Sequence, residues 1–211
     1  MVVLPNGREK AASTLASVTG LKVQDFSHCN FGREKNSACI SVLVEEKKGL
    51  NPFPALVGRI EGIFGNPRAQ KQATLFLHEL RPKLEAGLVA FIGTTRWLGE
   101  FKPNGVELVV GAGECQQDIL RLARVNAINY EMDTEALVKK LQQYDEQLGI
   151  DIIQAETDTV SFELKKLPAD LAAFAADLYE FCPDLVDQGC GDLDGFIEEL
   201  KKNRRVCLWW D

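Results

Sequence analysis

Residues 133–164, DTEALVKKLQQYDEQLGIDIIQAETDTVSFEL, change their hydrophobic period once, and that change decides the fold. Asp133 is of the residue type that caps helix N-termini; Leu137, Leu141, Tyr144 and Leu148 then recur on one helical face until Gly149, a helix terminator. From Ile150 to Ala155, and again from Val160 to Leu164, β-rich runs replace that period. Glu156, Thr157, Asp158 and Thr159 between them make a polar connection short enough for adjacent antiparallel strands. The spacing predicts a helix followed by a hairpin.

Towards the C-terminus, Pro168 suits the first turn of a second helix with Leu171, Phe174, Ala175 and Leu178 as its buried stripe, and Pro183 stops it. Asp192 can cap a third helix carrying Phe196, Ile197 and Leu200, and Val206 to Trp210 is a continuous apolar run, as in a strand covered on both faces. The order is helix, strand, strand, helix, helix, strand. Towards the N-terminus the same order recurs: a helix near Lys10 to Val18, strands Leu21 to Phe26 and Cys39 to Val44, helices near Pro54 to Phe64 and Pro67 to Arg81, and a strand Leu88 to Ile92. Gly20-Leu21-Lys22-Val23 resembles Gly149-Ile150-Asp151-Ile152, and Pro54-Ala55 matches Pro168-Ala169.

The expectation is an α+β protein made of two similar αββααβ halves, residues 1–104 and 105–211, folded as ferredoxin-like sandwich variants in one pseudo-symmetric domain or two. Central strands join them: Val106 to Val110, and Asp118 to Val125, where Ile119, Arg121, Ala123 and Val125 alternate as in a strand, with a helix as the other reading of that segment. Counting that segment as a strand, the second half reads βαββααβ, close to a ferredoxin-like sandwich with an extra helix.

With 45% hydrophobic and 26% charged residues the 211-residue chain is of ordinary globular composition. Its 31 acidic and 24 basic residues give a net charge of −7, which disfavours nucleic acid, whose affinity comes from Lys and Arg displacing counterions. The longest apolar runs fall far short of the roughly 20 residues that span a bilayer. Pro5, Asn6, Gly7 and Arg8 break up the start where a signal peptide would be apolar, so the expected location is the cytoplasm. Six scattered cysteines without a C-x-x-C pair, and two histidines, argue against structural zinc; Cys39 and Cys207 read as apolar strand residues.

Three places could carry chemistry. Gly111-Ala112-Gly113 follows a strand but lacks the rest of a phosphate loop and reads as a turn. Gly93-Thr94-Thr95-Arg96-Trp97 also follows a strand, offering hydroxyls, a guanidinium and an aromatic face where α/β sites form, or else a solvated loop with Trp97 folded inward. The densest set is Phe181-Cys182-Pro183-Asp184-Leu185-Val186-Asp187-Gln188-Gly189 with the terminal Trp209-Trp210-Asp211. If the last strand is central, Asp184, Asp187 and Asp211 could converge to hold a cation or share a proton; otherwise they cap and turn the chain while the tryptophans pack.

FCPDLVDQG followed by a helix and a terminal WWD resembles the bacterial domain-of-unknown-function family 4253. The likeness extends upstream through Gly93-Thr94-Thr95-Arg96-Trp97, Gln117-Asp118-Ile119-Leu120-Arg121, Asn129-Tyr130 and Ala155-Glu156-Thr157-Asp158-Thr159, covering roughly Leu88 to Asp211. It implies a small bacterial cytoplasmic domain and brings no reaction, cofactor or catalytic residue with it. Two functional readings lead, with a structural or dimerising protein as a third. One is a protein- or ligand-binding regulatory module, immunity-like in neutralising a basic partner protein, whose encounter an acidic surface would speed. The other is an enzyme or metal-dependent ligand-binding domain using Asp184, Asp187, Gln188, Trp210 and Asp211 with Arg96 and Trp97.

Overall fold

A computed structural model describes residues 7–27, 35–45, 66–95 and 105–210 of the chain. The expected helix near Pro54 to Phe64 lies outside them, as do Arg96, Trp97 and Asp211. The chain divides into two compact units, Met1–Leu122 and Ala123–Asp211, and its fold is α+β.

In the first unit, helix α1 (Arg8–Thr19) ends on Gly20, whose φ of 67° is the left-handed turn glycine takes without strain. Strands β1 (Gln24–Ser27) and β2 (Lys35–Glu45) pair antiparallel. Helix α2 (Pro67–Leu80) starts where the Asn66 side chain accepts from the amides of Arg68 and Ala69, at 3.0 and 3.1 Å. Its buried stripe, Ala69, Ala73, Leu77 and Leu80, packs on β2, on β3 (Leu88–Ile92) and on β4 (Gly105–Ala112). Strand β4 lies between β2 and β3 and is antiparallel to both, so β2 and β3 run parallel. The pairing continues past β3, because Gly93 donates to the Glu107 carbonyl and the Glu107 amide to that of Thr94. Thr94 and Thr95 are buried rather than on a solvated loop.

Two expectations for this unit change. Residues 118–123 are a helix, α3 (Asp118–Ala123), not a strand: Ile119, Leu120, Leu122 and Ala123 are buried at helical spacing, whereas a strand would have turned Arg121 inwards. The Asp118 carboxylate accepts from the amides of Glu114 and Cys115 and so holds the turn that leads into the helix. Gly111 is strand rather than turn, and the reason for glycine is space: a Cβ there would stand 2.6 Å from Leu122 Cδ1 and 2.8 Å from Cys39 Sγ.

In the second unit, α4 (Thr134–Leu148) leads into β5 (Ile150–Ala155) and β6 (Thr159–Leu164). Helices α5 (Leu171–Phe181) and α6 (Leu193–Asn203) follow, then β7 (Arg205–Trp209). Asp133, Asp170 and Asp192 each accept a backbone amide three residues on, at 2.9, 2.9 and 2.7 Å, and so start the three helices. Pro168 therefore precedes the cap of α5 instead of standing in its first turn. Strands β5, β6 and β7 form an antiparallel meander. Ile152, Phe162 and Val206 share one face with Val160 and Leu208, while Gln154, Ser161 and Cys207 share the other, a bulge in β5 keeping the two sets apart. Contrary to expectation, β7 alternates between buried and half-buried residues and pairs with β6 alone among the described strands, so it is not a central strand.

Among the described residues one helix, α2, stands between β2 and β3 where two, α5 and α6, stand between β6 and β7, and the strand topology differs as well. Strand β3 runs parallel to β2 with β4 between them, whereas β7 lies directly against β6 and antiparallel to it. With 118–123 helical, the second unit has three strands among its described residues, one fewer than a ferredoxin-like sheet needs. The expectation of two similar halves finds no support in this pairing.

Candidate functional site

The FCPDLVDQG segment is built around one buried carboxylate. Helix α5 ends at Phe181, and beyond Pro183 the chain makes a π-helical turn, Leu185–Cys190. Within that corner Asp184 is only 8% exposed. Its Oδ2 accepts from the Tyr130 hydroxyl at 2.8 Å and its Oδ1 from Gln188 Nε2 at 2.7 Å. A carboxylate this far from water is costly unless donors replace the lost hydration, and two do so here. The hydrogen bond to Asp184, followed by burial, pushes the Tyr130 hydroxyl up to about 12.

Cys182 ties the same corner to the last strand. Its thiol, fully buried, donates to the Trp209 carbonyl at 3.1 Å and accepts from the Trp209 amide at 3.4 Å. Burial raises it to about 11 although contacts with the Trp209 and Leu185 backbones oppose the shift, so at neutral pH it is a protonated structural thiol and no nucleophile. Trp210 is buried against Phe181, ring centroids 5.5 Å apart and nearly perpendicular, and its indole Nε1 donates to the Phe181 carbonyl at 3.2 Å.

Of the residues the sequence singled out, Asp184, Gln188 and Trp210 are joined within this corner, while Asp187 is exposed and accepts from the Tyr179 hydroxyl at 3.1 Å. Arg96, Trp97 and Asp211 lie outside the described residues. Among the described residues no three His, Cys, Asp or Glu side chains gather as a metal-holding group. Tyr130 was missed as a partner of Asp184 because it is 54 residues away in the chain. The neighbouring Asn129-Tyr130 likeness to the family was the one signal that could have pointed to it.

Two further polar features belong to this unit. A cavity of about 400 Å³ opens between α4 and α5, with Tyr144, Phe174, Lys140 and Asp177 among its lining residues. Asp177 accepts from Lys140 Nζ at 2.7 Å and from the Tyr144 hydroxyl at 2.6 Å. Burial works against the Asp177 charge, but these two donors and the ammonium outweigh it and hold the carboxyl below its usual range. On the polar face of the meander, Ser161 donates to Cys207 Sγ at 3.0 Å and Gln154 Nε2 to Glu156 at 2.9 Å.

These contacts define an α+β domain whose most distinctive polar residues brace its own last strand and turns. Residues 107–211, from Glu107 in β4 to Asp211, match the family described as domain of unknown function, DUF4253. The likeness read from the sequence began earlier, near Leu88. No curated protein and no solved structure matches the chain.

Proposed function

We propose that the chain is a binding module whose second unit engages a basic partner protein, in the manner of a regulator that neutralises what it covers. The observation that carries this reading is the uneven placement of charge. Residues 123–211 hold 19 acidic and nine basic side chains, a net of −10, whereas residues 1–122 hold 12 acidic and 15 basic, a net of +3. From Leu167 to Leu200 there are nine carboxylates and no Lys or Arg. A field concentrated in this way raises the encounter rate with a basic surface and repels nucleic acid.

Asp184 and Cys182, the most conspicuous candidates for acid–base or nucleophilic work, are spent on internal hydrogen bonds, which favours binding over catalysis. The test is capture by the immobilised full chain from an extract of the cells that produce it, at about 50 mM and about 300 mM NaCl, a range over which exposed charge pairs are progressively screened. The expected result is a protein of basic isoelectric point retained at low salt and released at high salt. Capture that is absent, or indifferent to salt, overturns the reading.

A further inference from the structure

We infer that the turn Ala127–Met132 is the point of docking: Ile128 enters an apolar pocket on a basic protein while Glu131 and Asp187 meet the Lys or Arg side chains around that pocket. This rests on the basic-partner reading above and adds to it a place and an anchor.

Ile128 is 73% exposed; the other large hydrophobic residue exposed among the described residues is Leu75, at 57%, on α2 in the first unit. A single isoleucine in water is unremarkable in itself. What sets this one apart is how firmly its backbone is held. Ala127 and Met132 exchange amide-to-carbonyl hydrogen bonds at 2.9 and 3.1 Å. The Tyr130 amide donates to Ala127 at 2.9 Å, the Glu131 amide to Ile128 at 3.0 Å, and the preceding Asn126 amide to Thr157 at 2.9 Å. Glu131 closes the turn at a φ of 57°, a left-handed conformation that is strained for a residue with a Cβ. Tyr130 then fastens the turn to buried Asp184.

A rigid apolar side chain displayed by a braced turn gives up little conformational entropy on binding, which is what distinguishes interface anchors from incidental surface residues. The surroundings specify the partner. Residues 125–138 carry Glu131, Asp133 and Glu135 and no Lys or Arg. Asp187 stands beside Gln188, which shares the Asp184 carboxylate with Tyr130 of the turn. Glu131, Asp187 and Gln188 are all exposed. An apolar tip with an acidic rim fits an apolar pocket with a basic rim and misfits a second copy of this surface.

The experiment places the photo-crosslinker benzoylphenylalanine at position 128 or, as control, at position 75 of the full chain, and irradiates it in extract of the producing cells. The supporting result is an adduct at 128, absent at 75, whose linked peptide is rich in Lys or Arg. Unlabelled wild-type chain should compete for it, and Ile128→Asp and Glu131→Lys should each compete at least about tenfold less well, as loss of an interface anchor implies. Because both positions are exposed, circular dichroism and melting should be unchanged in either variant. Salt-sensitive capture by wild type that Ile128→Asp and Glu131→Lys leave intact overturns the docking point while the basic-partner reading stands. Absence of any salt-sensitive capture overturns both, and an adduct at 128 to an acidic peptide overturns the charge argument.

Discussion

Asp184 is the side chain on which the corner depends, and its two donors make the dependence measurable. Asp184→Asn keeps the shape but presents an amide NH₂ to a hydroxyl or an amide that now donates, so about 1–3 kcal/mol of stability should be lost, seen as a lower urea midpoint. Tyr130→Phe should cost roughly 1 kcal/mol, and the double variant less than the sum, since both remove the same bond. Tyr130 also gives the molecule an alkaline limit. Its hydroxyl titrates at about 12 in the fold against an ordinary 10, so the folded state holds that proton more tightly. The resulting stability is complete below pH 10 and is lost as pH rises towards 12. Tyr130→Phe should therefore flatten, without abolishing, the fall in stability between pH 10 and 12. Tyr144 and Tyr179 shift in the same direction and keep their own shares, and Cys182, raised to about 11, begins the decline somewhat lower.

At the scale of elements, helix starts are the most local features and the easiest to perturb. Asp170→Ala should free the Ala173 amide and cost about 1 kcal/mol, with faster hydrogen exchange confined to the first turn of α5. Such signals were legible in the sequence: Asp133, Asp192 and Gly149 mark real boundaries, and β3 and β5 span the residues their apolar runs suggested. Legibility ended where a local pattern fitted two periods or where geometry depended on distant partners. Residues 118–125 alternate well enough for a strand, yet four buried side chains at helical spacing make α3. That β4 separates β2 from β3 is a fact of non-local pairing that no periodicity records. The candidate site was half legible for the same reason: its carboxylate stood out in the sequence, but the tyrosine that neutralises its burial cost comes from a turn before α4.

For the molecule as a whole, the charge that would attract a partner is also a charge that the second unit must fold against. A net of −10 within 89 residues repels itself, and pairs such as Lys140–Asp177 relieve it only locally. Screening should therefore act in opposite directions on stability and on binding. Between about 50 and 500 mM NaCl we expect the melting temperature to rise, by about 2–4 °C if the relief reaches about 1 kcal/mol in a chain of this size, while partner capture declines. Hydrogen exchange should locate the gain in α5, which lies within the acidic run and carries Asp177 and Glu180 without a Lys or Arg, and show little change in α2, where Arg68 and Lys71 stand with Glu79. A melting temperature that instead fell with salt would mean that favourable ion pairs outweigh the repulsion. The negative field would then be weaker than the sequence count implies, and the electrostatic argument for a basic partner would lose its footing independently of any capture experiment.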